Sequence, residues 1–193
     1  MIRALPLFLS IFLAACGGGS GFHRPDDAAE ARALCDQAES TGDPNRALAL
    51  YGLALNSDPR HARAYLGRAR IFERTGRAAE ADRSYSMAVD SAEEDVRSKY
   101  LLERARYQRS LGRTEATVRD LDRAISLLDS WPDRDRMLEA RLLRAECRIK
   151  LHAWDGARED LEAAERIGMD GARKDRAREL RVRLEAGQAE DRR

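Results

Sequence analysis

Cys16 is the residue in this 193-residue sequence with the most chemistry open to it. A cysteine sulfur is a nucleophile and a site of covalent modification. This one follows Leu13-Ala14-Ala15 and precedes Gly17-Gly18-Gly19-Ser20-Gly21. The other two cysteines, Cys35 and Cys147, read as small buried apolar residues. They fall at opposite ends of a repeating helical array, too far apart for the close Cα approach a disulfide requires. His23, His61 and His152 have no carboxylate or cysteine at metal-ligand spacing. Carboxylates in pairs, such as Glu159-Asp160 and Asp120 with Asp122, could in principle trade protons with a substrate. In a chain with 34 acidic and 35 basic residues they read instead as solvated faces beside arginines. The glycines at 17–21 precede no strand and lack the Gly-Lys-Ser/Thr ending of a phosphate loop, and no HExxH or GxSxG run occurs. No catalytic residue, cofactor site, metal site or small-molecule substrate is expected.

The residues around Cys16 suit a different kind of chemistry. One positive charge, Arg3, precedes an apolar stretch from Ala4 to Leu13 broken only by Pro6 and Ser10. Such a run has the form of a signal peptide and is too short for a permanent membrane span, which needs about 20 residues. Leu13-Ala14-Ala15-Cys16 resembles the bacterial lipobox. The resemblance implies cleavage after residue 15 and lipid on the Cys16 sulfur and its new amino group, a stable anchor at roughly 0.8 kcal/mol per buried methylene. Gly17 rather than an acidic residue after the cysteine implies, by the same resemblance, the outer membrane with the chain facing the periplasm. The alternative is an ordinary secretory peptide with an incidental cysteine. With Cys16 lipidated, residues 16–27 would form a Gly/Ser-rich tether, holding the rest of the chain roughly 20 Å from the membrane.

Composition limits the remainder. The formal charge is +1, and losing Arg3 leaves zero, without the basic excess of a nucleic-acid binder. Aromatics are 6% and charged residues 36%, and β-branched runs are almost absent, which argues for helices.

The helices repeat. Gly42, Ala47, Tyr51 and Ala54 recur 34 positions later as Gly76, Ala81, Tyr85 and Ala88. A third unit contains Ala105, Gly112, Thr117, Leu121 and Ala124, and a fourth Ala145, Trp154, Ala157, Leu161 and Ala164, with His152 in place of the turn glycine. Capping signals are expected at Asp43-Pro44, at Asp58-Pro59 and in a Ser91/Glu94 capping box. Ala177, Leu180 and Leu184 line one face of a last helix, residues 172–186, and residues 187–193 read as a frayed tail. This pattern resembles the tetratricopeptide repeat (TPR). The resemblance implies an all-α fold, a right-handed superhelical solenoid of about four TPR-like hairpins plus a C-terminal capping helix, over residues 28–186. One hairpin cannot bury its apolar face alone, so units must stack.

In the family so resembled, side chains of each unit's first helix line a concave wall that grips a partner peptide or helix. That register puts Arg63, Leu66, Arg70, Glu73 and Arg74 of unit two on the wall, with Lys99, Leu102, Arg106 and Arg109 of unit three. Unit one adds Arg32 and Asp36; unit four adds Glu139, Leu142, Glu146 and Ile149. The middle of the groove is expected to be basic around a line of Leu66, Leu102 and Leu142, suiting an acidic, partly apolar protein segment. The functional expectation is a lipid-anchored scaffold or adaptor of the bacterial cell envelope with a protein partner and no nucleic acid; the alternative is a regulatory subunit that positions a cell-wall enzyme.

Overall fold

The structure is a computed structural model that describes residues 25–193. The signal peptide, Cys16 and most of the tether lie outside the described residues. The described part is helical and follows the repeat: α1 (Pro25–Ser40) with α2 (Pro44–Ser57), α3 (Ala62–Arg74) with α4 (Ala78–Ser91), α5 (Glu94–Ser110) with α6 (Thr114–Ser130), α7 (Arg134–Lys150) with α8 (Trp154–Ile167), and α9 (Gly171–Asp191). Each pair is an antiparallel hairpin of a helix A and a helix B, and α9 packs on α7 and α8 as a capping helix. The expected all-α solenoid of about four hairpins with a terminal cap is the fold observed.

Stacking joins neighbouring units through small residues. Ala69, Ala81 and Ala88 let α3 and α4 approach closely, and Phe72, Tyr85, Leu101 and Leu121 fill the volume between units two and three in one continuous core. A second core under α9 contains Leu138, Leu142, Leu161, Leu180 and Leu184. Cys35 and Cys147 are buried free thiols in the first and last units, and burial pushes the pKa of each up to about 11. A-series helices touch one another (α1 with α3, α5 with α7, α7 with α9), and no pair of B helices does so to the same extent. The A helices therefore form the inner wall of the curve. Between α3 and α5 the A helices stand further apart than in the other pairs.

Local signals are met unevenly. Asp43 caps α2, accepting from the Asn45 amide at 2.9 Å. Asp58 does not cap α3: the helix starts at Ala62, and the Asp58 carboxylate instead accepts from the Arg60 amide and sits 3.0 Å from His61 Nδ1. Ser91 ends α4 as a buried residue, and Glu93, at the start of α5, makes no side-chain cap, so the expected capping box is absent. The array also runs further than its expected limits, starting at Pro25 and continuing to Asp191 through the segment expected to fray. Two contacts order that end. Gly187 leaves room for the Trp154 ring, which a Cβ there would overlap, and the Asp191 carboxylate accepts from Trp154 Nε1 at 2.9 Å while lying 3.1 Å from His152 Nδ1.

Candidate functional site

The arginines of the inner wall are mostly committed to carboxylates on the next A helix. Arg63 of α3 pairs with Asp36 at 2.7 Å and Glu39 at 2.6 Å on α1, which raises the guanidinium pKa and lowers that of Glu39. Arg70 reaches Glu103 of α5 at 3.0 Å; Arg106 of α5 reaches Glu139 of α7 at 2.6 Å. Arg109 and, from α9, Arg176 both hold Glu146 of α7, at 3.1 and 2.9 Å. Burial alone would raise the Glu146 carboxyl, but the hydrogen bond from Arg176 and the charge of Arg109 outweigh it and hold the group below its ordinary value. The wall from α5 to α9 is thus a ladder of self-compensated pairs rather than a basic stripe.

The leucines occupy a different layer from the one expected. Leu66, Leu102 and Leu142 are 4%, 2% and 1% exposed, packed between helices. Leu102 and Leu142 belong to the cores, and α9 covers the surface of α7 on which Leu142 and Ile149 lie. A stripe open to a partner along the whole groove is therefore not present. The acidic pairs need the same correction. Asp120 and Asp160 are 4% and 0% exposed, not solvated. Arg104 of α5 grips Asp120 of α6 with two 2.7 Å hydrogen bonds. At the same place in the next unit, Arg144 and Arg148 hold Asp160, with Arg141 at 3.4 Å. The recurrence of Arg104/Asp120 as Arg144/Asp160, 40 positions on, was the sequence signal for an internal pair joining helix A to helix B.

One part of the inner wall is open. A cavity of about 860 Å³ lies against α3 where α3 and α5 separate. Thr41, Gly42 and Pro44 of the first turn form one rim and Lys99 of α5 the other, and Tyr51, Leu66, Gly67 and Ile71 line it between them. Its volume falls in the range of ordinary ligand sites. Gly67 is what admits Tyr51, since a Cβ there would overlap the phenol ring. Of the expected wall residues, Arg63, Leu66, Arg70, Glu73, Arg74 and Lys99 come together here, while Leu102, Arg106 and Arg109 do not line the cavity. Arg63 and Arg70 are ion-paired. Arg74 and Lys99 are exposed and form no ion pair among the described residues; Lys99 lies 5.6 Å from the Tyr100 ring centre.

Tyr51 is the residue sequence reasoning missed as a site residue, having been read only as a repeat position. Its repeat equivalent, Tyr85, donates to Glu73 Oε2 at 2.6 Å and stacks on Tyr107 with ring centres 4.7 Å apart. Tyr51 is 4% exposed, yet its hydroxyl makes no hydrogen bond among the described residues while its ring lines the cavity. Burial pushes its pKa up, so the group stays a neutral O–H donor at ordinary pH.

No family model matches the chain, and no curated protein matches it. Among solved structures it is similar to YrrB, described as a TPR protein with an unusual peptide-binding site. The identity is 20%, with 84% of this chain and 85% of that chain covered at a TM-score of 0.57. The likeness supports the TPR-type fold.

Proposed function

We propose that this protein is a scaffold or adaptor that holds a partner polypeptide on the inner wall of its helical array and carries out no reaction of its own. The observation that carries this reading is the open cavity beside α3. There, a roomy hollow of mixed polar and apolar lining meets two exposed cations, Arg74 and Lys99, that form no ion pair among the described residues. A peptide-binding site is also what the description of the structurally similar YrrB names for that protein. The remaining inner wall is tied up by its own ion pairs, so docking centres on units one and two.

Support for where the array works lies in the sequence. Leu13-Ala14-Ala15-Cys16 behind a short apolar run supports cleavage and lipid attachment at Cys16, which would anchor the array in the bacterial envelope, at the outer membrane facing the periplasm. An adaptor so anchored would bring a soluble or membrane partner to a fixed place on the membrane.

Affinity purification from detergent-solubilised envelopes tests the docking role. A partner recovered with the wild-type chain should be lost with Arg70→Glu/Arg74→Glu, and unchanged recovery would reject the cavity as the docking site. A cell-wall enzyme as that partner would favour the regulatory-subunit reading. Globomycin tests the anchor: a lipoprotein accumulates unprocessed in the drug, whereas a chain still cut and released would remove Cys16 as the point of attachment.

A further inference from the structure

We infer that the cavity beside α3 recognises an acidic side chain of the partner segment, with the Tyr51 hydroxyl as the donor that orients it and Arg74 and Lys99 supplying the charge. This inference rests on the proposed docking groove and names the chemistry of its occupant.

Three observations meet at this place. The first is the unequal fate of two repeat-equivalent tyrosines. The fold satisfies Tyr85 internally through Glu73, but leaves the Tyr51 hydroxyl without a partner among the described residues although the residue is only 4% exposed. The hydroxyl opens on the cavity, where it is available to donate to an acceptor that arrives from outside. The second is charge. Of the carboxylates near the cavity, Glu39 and Glu103 are ion-paired with Arg63 and Arg70, while Glu73 accepts from the neutral Tyr85 hydroxyl and keeps its charge, which offsets one cation of the lining. Arg74 and Lys99 remain as exposed cations with no ion pair among the described residues. A carboxylate is an acceptor suited to a phenolic O–H in a cavity whose lining also carries these two cations, and charge-assisted hydrogen bonds are the strong ones. The third is shape. The separation of α3 from α5, with Gly42 among the lining residues, leaves room for a chain to enter from the open inner face, while the space at Gly67 is taken by the Tyr51 ring. Ala38, Ala47 and Ile71 provide an apolar floor for the rest of the segment.

The test uses the full chain with Cys16→Ser, so that it stays unanchored. Fluorescein-labelled pools of randomised decapeptides, with three positions fixed as Glu, Gln or Lys, are titrated by anisotropy. The Glu pool is expected to bind about tenfold more tightly than the Gln or Lys pool. Arg74→Glu/Lys99→Glu is expected to abolish that preference, and Tyr51→Phe to weaken the Glu pool about fivefold with an unchanged melting temperature. Equal binding of the three pools, or a Glu preference that survives Arg74→Glu/Lys99→Glu, overturns the acidic-segment inference and leaves the docking groove standing. Binding of none of the pools overturns both.

Discussion

Tyr51 and Tyr85 occupy the same place in successive repeats and differ by one hydrogen bond, so phenylalanine at each separates stability from binding. Tyr85→Phe removes the 2.6 Å bond to Glu73 and is expected to cost about 1 kcal/mol, read as a lower urea midpoint. Tyr51→Phe breaks no bond among the described residues and is expected to leave that midpoint within about 0.5 kcal/mol of wild type. A larger effect from a single side chain belongs to Asp160. Fully buried, it neutralises Arg144 and Arg148, so Asp160→Ala strips two largely buried guanidiniums of their main carboxylate, leaving them the half-exposed Asp122 and the Gly156 carbonyl, and is expected to cost about 3 kcal/mol by thermal or urea unfolding. A loss under about 1 kcal/mol would mean that the pair is solvated after all.

Among the helices and their connections, the turns within hairpins show what spacing reveals and what it hides. Gly42, Gly76, Gly112 and His152 are one position in the repeat, but only the last three have positive φ, at 72°, 71° and 57°. Gly76→Ala and Gly112→Ala are therefore each expected to cost about 1 kcal/mol, while Gly42→Ala, in open space and outside that region, is expected to be nearly neutral. The small and large apolar positions that place two helices in contact are set by neighbours in sequence, and so four hairpins and a cap were legible from residues such as Ala47, Tyr51 and Ala54. Helix starts were less so, because Asp58 turns to the Arg60 amide and His61, and Ser91 is taken up as the buried last residue of α4. The groove was legible only as a register. Which arginine meets which carboxylate depends on the rotation between units, and so the pairing of Arg106 with Glu139, the burial of Leu102 and the opening beside Gly67 were not.

Across the array as a whole, the ladder of pairs between A helices makes stability sensitive to acid. Glu39 and Glu146 are held below the ordinary glutamate value of 4.5, Glu39 by the hydrogen bond from Arg63 and Glu146 by Arg176 and Arg109 against the opposing effect of burial. A carboxyl lowered in the folded state stabilises it above the unfolded value and loses that contribution as pH falls. Unfolding midpoints are thus expected to be level from pH 7 to about 5 and to fall below about 4.5. Most of the ladder is partly solvated, so added salt screens it, and because such pairs each contribute little the accompanying loss of stability should be modest. Removal of α9 is a stronger perturbation. Without residues 171–193 the face of α7 bearing Leu138 and Leu142 is uncovered, and the array is expected to lose the cooperativity of its last unit and to aggregate, as solenoids without a polar cap do.

Docking of a partner polypeptide on the inner wall beside α3 can be read in intact cells by site-specific photo-cross-linking. A benzophenone side chain is placed at Thr41 on the cavity rim or at Leu53, an exposed position on helix α2 outside the cavity lining. The expected result is a discrete protein adduct from Thr41 that is absent from Leu53 and disappears with Arg74→Glu/Lys99→Glu. An adduct formed from Leu53 and not from Thr41 would place the partner outside the cavity and rule out the inner wall beside α3 as its seat.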